Sequence, residues 1–223
     1  MTEIAELFDL TKTIASGLFE GKTYPWEVLS EIKAYILKLG ETLPTDEYDH
    51  PEEGVWIAKD AKVFPSAFIG SPCIIDHGAE VRHCAFIRES AIVGKNAVVG
   101  NSVELKNVVL FDSVQVPHYN YVGDSVLGYK AHMGAGSITS NVKSDKSLVV
   151  IKQPGAPLET GRKKVGAMVG DCAEIGCNSV LNPGTVVGRN AQIYPVSCVR
   201  GFIPANSIYK NKDSIVQKHF KSF

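Results

Sequence analysis

The chain has 223 residues, enough for one large domain or two small ones. Its 23 basic and 24 acidic residues give a formal net charge of −1, so no strong field favours nucleic acid or an anionic membrane surface as a partner. Hydrophobic residues make up 44%, yet no apolar run reaches the ~18 residues that a membrane span needs. The acidic start MTEIAELFDLTK predicts no signal peptide, and five cysteines without a CxxC pair favour a reduced, cytoplasmic location.

Residues 1–54 predict a helical cap followed by a linker. Apolar residues at close to helical spacing predict a first helix over 3–20. A second helix is predicted over 25–39, because Pro25 suits a first turn and Gly40 follows the last periodic residue. The acidic, proline-containing remainder of the segment predicts the linker. We interpret both helices as packing elements, either caps or subunit contacts.

A six-residue repeat dominates the middle of the chain. Large apolar residues recur at every sixth position, and small residues follow four positions after most of them. A helix would repeat its apolar stripe every 3.6 residues, and an ordinary strand alternates with a period of two. A six-residue period is typical of hexapeptide β-helices. The first series is Ile57, Val63, Ile69, Ile75, Val81, Ile87, Val93, Val99, Leu105 and Phe111, and a second series runs from Val169 to Val199.

This repeat predicts an all-β fold, a parallel β-helix in which three hexads form one triangular coil of about 18 residues. Coils would stack as parallel strands ~4.8 Å apart, and both ends would need caps. We expect the β-helix domain over 55–205, with a loop excursion at 143–164 where the repeat is interrupted. A basic C-terminal helix is predicted over 206–223.

Two cations lie 18 residues apart in the repeat. Arg88 follows Ile87 and Lys106 follows Leu105, so both are expected at equivalent positions on adjacent coils. Like charges this close favour an anion between them, and a phosphate would suit a guanidinium beside an ammonium. The alternative is two solvated side chains, because Glu89 and Glu104 are close in sequence.

A histidine follows the point where the regular series ends. His118 comes directly after Pro117, and the next repeat starts at Val122, only five residues later. A missing residue here would tighten the coil and aim His118 and Tyr121 outward. Histidine is the side chain most easily poised as a base near neutral pH, so a catalytic base and an ordinary surface or core histidine both stay open.

The run VELKNVVLFDSVQVPHYNYVGDSVLGYKAHMGAGSITSN resembles the acetyltransferase domain of the bifunctional N-acetylglucosamine-1-phosphate uridyltransferase/glucosamine-1-phosphate acetyltransferase. That family belongs to the left-handed β-helix, hexapeptide-repeat acyltransferases. The resemblance implies an acetyl-CoA-dependent sugar acetyltransferase that forms a homotrimer and requires no metal. Its expected acceptor is an amino-sugar phosphate, such as glucosamine-1-phosphate, or a nucleotide-linked amino sugar.

The resemblance also implies roles for individual residues. His118 matches the general base that removes a proton from the acceptor amine. Ala135 matches a residue near the acetyl group, and Cys177 lies where the wall of the acetyl-CoA cleft is expected. On the acceptor side, the residues matched to sugar or sugar-phosphate binding are Arg88, Lys106, Tyr121 and Asn141, together with His132 in place of an asparagine.

Departures from the family pattern fall on the acceptor side. Val142 stands where a tyrosine is usual, and the 143–164 excursion is longer than the family pattern. No G-x-G-T-R nucleotide loop is present, so we expect no uridyltransferase activity. A non-catalytic scaffold or sugar-nucleotide-binding partner of a separate nucleotidyltransferase is the main alternative. A histidine-ligated zinc enzyme is a weaker one, since His77 and His83 lack the close spacing of that class.

Overall fold

The computed structural model describes residues 2–219 and is a parallel β-solenoid of about nine turns. The predicted all-β, hexapeptide-repeat fold is confirmed. Each coil runs through three flat faces, and each strand pairs in parallel with the strand one coil further along the chain. Residues 55, 73 and 91, each 18 positions apart, pair in register on the first face, as a three-hexad coil requires.

Each face is built from a stack of short strands. Face 1 contains Val55–Ala58, Cys73–Ile75, Ala167–Val169, Thr185–Val187 and Phe202–Ile203. Face 2 contains Lys62–Val63, Glu80–Val81, Val98–Asn101, Gln115–His118, His132–Met133, Glu174–Ile175, Gln192–Ile193 and Ser207–Asn211. Face 3 contains Phe68–Ile69, Ile138–Thr139, Val180–Leu181 and Cys198–Val199. Three longer strands turn a corner and contribute first to face 3 and then to face 1: Phe86–Val93, Glu104–Leu110 and Tyr121–Leu127.

The inward series slips by one residue after Leu105. Leu110, and not Phe111, pairs with Val93, and Val116, and not Pro117, pairs with Val99. The repeat had suggested a missing residue after Pro117. The structure places it before Leu110. Phe111 is still fully buried, because its ring packs against Phe8 and Phe19 of the N-terminal segment at 5.2 and 5.7 Å between centroids.

The N-terminal segment is less regular than predicted. A single helix over 3–20 is wrong: the chain forms a short α-helix, Ile4–Leu7, and two 3-10 turns, Leu10–Lys12 and Ser16–Phe19. Asp9 accepts a hydrogen bond from the Thr11 N–H at 3.0 Å, a local bond that competes with continued helix. The predicted second helix is a 3-10 turn, Pro25–Ser30, followed by an α-helix, Ile32–Gly40.

Two further predictions are corrected at the ends of the solenoid. The predicted linker contains a strand, Tyr48–Glu52, that pairs antiparallel with Val55–Ala58 and covers the first coil. In place of a C-terminal helix, Ser207–Asn211 continues face 2 and pairs antiparallel with Ser214–Gln217. The hairpin covers the last coil, because its first strand extends the parallel stack. Residues 220–223 of the predicted helix lie outside the described residues.

Face 1 is apolar on its outer side as well as inside. The side chains that alternate with the inward ones are buried: Trp56, Ile74, Ile92, Val109, Val126, Met168 and Val186. The helix Ile32–Gly40 contacts the strands of the lower coils, and Gly40 lies so close to the Trp56 ring that a Cβ would be 2.4 Å from it. The N-terminal segment therefore covers the lower half of this face.

The excursion at 143–164 covers the upper half of face 1. It leaves and returns at one point, because the Val165 N–H donates to the Asn141 carbonyl at 3.0 Å and Val142 forms an antiparallel bridge with Lys164. Its strands, Val150–Ile151 and Leu158–Glu159, pair antiparallel. Val149 and Ile151 are fully buried and approach Gly184 of the solenoid.

Within residues 2–219, no helix is both long and apolar enough to cross a membrane.

Candidate active site

Three of the predicted site residues lie along the corner between faces 2 and 3, which we call the open corner. The Gly136 N–H donates to the His118 carbonyl at 3.0 Å, so the turns at His118 and Ala135 are on adjacent coils. The Asn178 N–H donates to the Ala135 carbonyl at 2.8 Å, which places Cys177 one coil further. His118 and Cys177 are exposed and Ala135 is partly exposed, so the open corner presents a base, a small residue and a thiol in consecutive coils.

Asn120 holds the open corner together, and the sequence analysis missed it. Its side chain is 2% exposed and accepts a hydrogen bond from the His118 N–H at 3.1 Å. The amide nitrogen donates across to the next coil, to the Gly134 carbonyl at 2.8 Å and the Ser137 carbonyl at 3.0 Å. One buried side chain therefore fixes the turn that carries His118 to the turn that carries Ala135. Its place inside the PHYNYVGD string, two residues after His118, was the available signal.

Close packing of the coils at this corner depends on Gly134. A Cβ on Gly134 would lie 2.6 Å from the backbone nitrogen of Cys177, a distance that atoms in proteins do not tolerate. The two turns can therefore stack only if residue 134 has no side chain. This contact keeps Ala135 and Cys177 on one continuous surface.

A second group of predicted residues lies at the corner between faces 3 and 1, which we call the polar corner. Asp124 is 4% exposed and accepts hydrogen bonds from three side chains on the coils before and after its own. Its Oδ1 is 2.9 Å from Nδ2 of Asn107 and 3.4 Å from Nζ of Lys106, and its Oδ2 is 2.5 Å from Nδ2 of Asn141. Both carboxylate oxygens are therefore occupied by the protein itself.

The conformation of the polar corner explains its residue types. Asn107 and Asp124 have φ values of 56° and 47°, in the left-handed region that Asn and Asp tolerate better than most residues. Asn107 also donates to the Leu29 carbonyl at 3.0 Å, which ties the N-terminal segment to this corner. Asp124 was not among the predicted site residues, although it is the central acceptor of the network.

Tyr121 connects the polar corner to the outer surface of face 3. Its hydroxyl accepts a hydrogen bond from Nδ2 of Asn141 at 3.3 Å. Burial and the neighbouring charge of Asp124 raise the pKa of Tyr121 above that of a free tyrosine. The phenol therefore keeps its proton at neutral pH and can donate to a bound sugar.

Arg88 and Lys106 do not occupy equivalent positions, which corrects the stacking expected from their spacing. Arg88 is an extra residue at a bulge in its strand, and Lys106 pairs with Glu89. Each cation already has a carboxylate partner: Nη1 of Arg88 lies 3.3 Å from Oε1 of Glu104, and Lys106 contacts Asp124. With Glu89 included, the two cations face three carboxylates, a formal net charge of −1.

His132 lies apart from the turn of His118, on the flat part of face 2. It pairs in the strand ladder with Gln115 on one side and Glu174 on the other. Its Nδ1 is 2.8 Å from Oε2 of Glu174, and the two side chains border a shallow depression that Lys130 also lines. The structure therefore gives His132 an acidic partner on its own face.

The two histidines of the zinc alternative are also separated. His77 lies between two carboxylates, with Nδ1 2.9 Å from Asp60 and Nε2 3.2 Å from Glu47. The His83 ring packs against Phe64 in a tilted arrangement, with ring centroids 4.4 Å apart. Across residues 2–219, no three His, Cys, Asp or Glu side chains are grouped so as to hold a metal ion.

The curated proteins to which this chain is similar include bifunctional nucleotidylyltransferase/acetyltransferases. A family model described as the GMPPB C-terminal domain matches residues 69–152, less than half of the chain. A bifunctional protein GlmU from Methanococcus maripaludis is 33% identical over 113 residues, which are 51% of this chain and 27% of the relative. A bifunctional sugar-1-phosphate nucleotidylyltransferase/acetyltransferase from Sulfurisphaera tokodaii is 33% identical over 108 residues, 48% of this chain and 27% of the relative.

Solved structures show more distant likenesses. A mutant of perosamine N-acetyltransferase from Caulobacter crescentus, in complex with CoA and GDP-perosamine, is 16% identical with a TM-score of 0.37, covering 74% of this chain and 57% of that one. The polySia-specific acetyltransferase NeuO is 11% identical with a TM-score of 0.47, covering 75% and 88%. These likenesses are too distant to bear on function.

The chain spans about a quarter of the length of the curated relatives it matches. The activity of a whole relative therefore does not transfer to this chain directly. The chain resembles the GlmU-type bifunctional nucleotidylyltransferase/acetyltransferases, and its β-solenoid corresponds to their acetyltransferase part.

Proposed function

We propose that the chain is an acetyl-CoA-dependent sugar acetyltransferase acting on an amino-sugar phosphate, such as glucosamine-1-phosphate, or on a nucleotide-linked amino sugar. The observation that carries the proposal is the open corner, where His118, Ala135 and Cys177 follow one another on consecutive coils and are accessible. The similarity to bifunctional nucleotidylyltransferase/acetyltransferases supports the same reaction.

In this proposal His118 is the general base. It accepts a proton from the acceptor amine as the nitrogen attacks the thioester carbonyl carbon. The carbon–sulfur bond then breaks, and the thiolate of CoA takes up a proton as it leaves. A correctly held base contributes roughly 10²–10⁴-fold to such a step. Asn120 fixes the backbone of the turn from which the imidazole projects.

Acetyl-CoA is proposed to lie along the open corner, with its acetyl group near Ala135 and its chain passing Cys177. The small side chains leave room beside the turns, and the two turns form one surface because Gly134 permits their close approach. Tyr121 and Asn141 are proposed to contact the sugar, with the protonated Tyr121 phenol as a donor. No metal is required, because the thioester is already activated.

The remaining acceptor residues keep weaker roles in the proposal. His132 is an acceptor-side candidate that a ligand could reach only by extending onto face 2, where Glu174 already contacts it. Arg88 and Lys106 can bind the sugar phosphate only if the ligand displaces Glu104 and Asp124 from them. These competing contacts favour the alternative of a non-catalytic scaffold or sugar-nucleotide-binding partner.

A homotrimer is part of the proposal. The N-terminal segment and the excursion cover face 1, so faces 2 and 3 and their shared corner are left for subunit contacts. That corner exposes large apolar side chains, Tyr119 at 65% and Val196 at 79%. Burying them against a neighbouring copy would remove apolar surface from water beside the site. Sedimentation equilibrium at micromolar concentration tests this, and a monomer would contradict it.

A cytoplasmic location is also proposed. All five cysteines are free thiols in the structure, and three of them are exposed. An oxidising compartment would leave such thiols prone to forming bonds between molecules. Localisation of a tagged full-length chain by fractionation tests the assignment, and recovery from a membrane or secreted fraction would contradict it.

A thiol-release assay tests the reaction itself. Purified chain and acetyl-CoA are incubated with free amino sugars, their 1-phosphates and their nucleotide conjugates, and the released CoA is measured. We expect turnover with at least one phosphorylated acceptor, and loss of that turnover in His118→Ala. Binding of a sugar nucleotide without any thiol release across the whole panel would favour the scaffold alternative.

A further inference from the structure

A pocket of about 310 Å³ lies between the upper coils and the excursion, and we call it the hairpin pocket. It opens at the edge between faces 3 and 1, on the coils that follow the polar corner. Three of its lining side chains are cations, and hydroxyl groups line it as well. The lining residues used below are Ser140, Lys143, Ser144, Asp145, Lys152 and Arg200.

A glycine turn fixes two of the cations close together. Gly201 has a φ of +83°, and a Cβ there would lie 2.8 Å from the Lys152 carbonyl oxygen and 3.2 Å from the Lys152 Cβ. The Phe202 N–H donates to the same carbonyl at 2.8 Å. The excursion is therefore bonded to the coil wall at residue 152, and Arg200, which precedes Gly201, lines the same pocket as Lys152.

The pocket has positive charge that the protein does not neutralise. Nζ of Lys143 lies 3.5 Å from Oδ2 of Asp145 and also bonds to Ser147. Over residues 2–219, the side chains of Lys152 and Arg200 form neither a hydrogen bond nor an ion pair. The excursion as a whole carries six basic and two acidic residues. Two adjacent cations without partners attract an anion to the space between them.

The polar corner differs in this respect. Arg88 and Lys106 are each paired with a carboxylate, and a buried pair such as Lys106–Asp124 is costly to separate. A phosphate arriving at that corner would have to compete with Glu104 and Asp124. At the hairpin pocket, a phosphate would not have to displace any carboxylate of residues 2–219 from Lys152 or Arg200.

We propose that the hairpin pocket binds the phosphate or diphosphate group of the acceptor, in place of the Arg88–Lys106 pair. The guanidinium of Arg200 can bind two phosphate oxygens at once, while Lys152 supplies a point charge. Ser140 and Ser144 can donate further hydrogen bonds. The identity of the ligand as an acceptor rests on the proposed function, whereas the phosphate chemistry rests on the pocket alone.

The pocket continues the surface on which the sugar is proposed to lie. Ser140 and Val142 line the pocket, and between them Asn141 contacts Tyr121 and Asp124. A sugar held at Tyr121 and Asn141 would therefore have its phosphate on the side of the excursion. The excursion, longer than the family pattern, then acts as a phosphate-binding element of this chain.

Calorimetric titration of the full-length chain without acetyl-CoA tests the proposal. The ligands are inorganic diphosphate, glucosamine-1-phosphate, uridine diphosphate and adenosine 3′,5′-bisphosphate, the last representing the phosphates of CoA. The variants are Lys152→Gln, Arg200→Gln, their double variant and Arg88→Gln. Lys38→Gln is the matched control, because Lys38 is exposed on the helix that covers the lower coils. Thermal unfolding without ligand checks that every variant is folded.

We expect each single pocket variant to weaken diphosphate and acceptor binding by about tenfold or more, the effect of losing one charge-assisted hydrogen bond. The double variant should lose detectable binding, and Lys38→Gln and Arg88→Gln should bind as the unmodified chain does. Binding should also weaken as salt is added, since both cations are exposed.

Three results would overturn the proposal. The first is unchanged phosphate binding in the double variant, and the second is loss of binding in Arg88→Gln. The third is an effect confined to adenosine 3′,5′-bisphosphate, which would assign the pocket to CoA and not to the acceptor. The titration contains no acetyl-CoA, so it tests the pocket independently of the reaction. If the chain binds phosphate in the titration but releases no thiol in the separate acetyl-CoA assay, the proposed function is refuted and the pocket assignment stands.

Discussion

The open corner and the polar corner contain residues from the same sequence string, but they differ in how much of their bonding capacity the protein already uses. At the open corner, His118 and Cys177 are exposed. At the polar corner, Asp124 is buried and accepts bonds from three neighbouring side chains. The first corner leaves its side chains accessible, whereas the second is largely occupied by its own network.

The difference has a physical cause. A buried carboxylate is tolerated only when its oxygens are hydrogen-bonded, so the polar corner has to complete its network within the protein. An exposed imidazole has no such requirement, because water satisfies it until a ligand arrives. Residues that a sequence motif assigns to one site can therefore divide into those that bind a ligand and those that hold the coils in register.

The largest effect is expected from His118→Ala. Loss of the proposed base should lower kcat by at least roughly 10²-fold, while KM for both substrates and the oligomeric state stay nearly unchanged. Steady-state kinetics by thiol release would measure the change. His132→Asn is the control, because His132 lies on face 2 beside Glu174 and need not move a proton.

The assignment of the chemistry to the open corner would be contradicted if these two results were reversed. An inactive His132→Asn together with a mild His118→Ala would move the chemistry from the open corner to face 2.

Asp124→Ala should cause the next largest effect, on stability. It removes the acceptor of Lys106, Asn107 and Asn141 and leaves a mostly buried ammonium without its partner. We expect the free energy of unfolding to fall by about 3 kcal/mol. Urea denaturation measures it, with Glu174→Ala as the control: this exposed pair with His132 should cost less than about 1 kcal/mol. Equal losses in the two variants would contradict a structural role for the polar corner.

A smaller effect is expected from Cys177→Trp, which adds bulk to the open corner. If acetyl-CoA passes this residue, its KM should rise about tenfold while acceptor binding is retained, since about 1.4 kcal/mol of lost contact corresponds to a factor of ten. Cys198→Trp is the matched control, because Cys198 is also an exposed thiol but lies in a strand of face 3. An unchanged KM in Cys177→Trp, with the oligomeric state unaltered, would place acetyl-CoA elsewhere.

The hexapeptide period predicted the solenoid because each inward position demands an apolar side chain. The same rule could not locate the one-residue slip, since Leu110 and Phe111 are both large and apolar and either satisfies the pattern. What separates them is a contact distant in sequence, the packing of Phe111 against Phe8 and Phe19. The C-terminal hairpin was missed for a similar reason, because strand formation there depends on pairing with the coil below.

In the candidate site, too, spacing predicted some features and local geometry decided others. The turns of His118 and Ala135 could be brought together from the sequence, because an offset of 17 positions is close to one coil. The pairing of Arg88 and Lys106 with carboxylates could not be predicted from the sequence, because the bulge at Arg88 changes which residue Lys106 faces. Spacing predicts which coil a residue occupies, whereas its partner depends on local backbone geometry that single residues alter.

The smallest effect is expected from Arg88→Ala, and it separates the two corners most directly. The Arg88–Glu104 contact at 3.3 Å is an exposed ion pair, with half of the Arg88 side chain in solvent. Such pairs contribute less than about 1 kcal/mol, so the free energy of unfolding should change little. If the polar corner is structural and phosphate binds elsewhere, the KM for a phosphorylated acceptor should rise less than about threefold, within the same range of free energy. A rise of tenfold or more, absent with the unphosphorylated sugar, would show that a ligand displaces Glu104 and that Arg88 binds the phosphate after all.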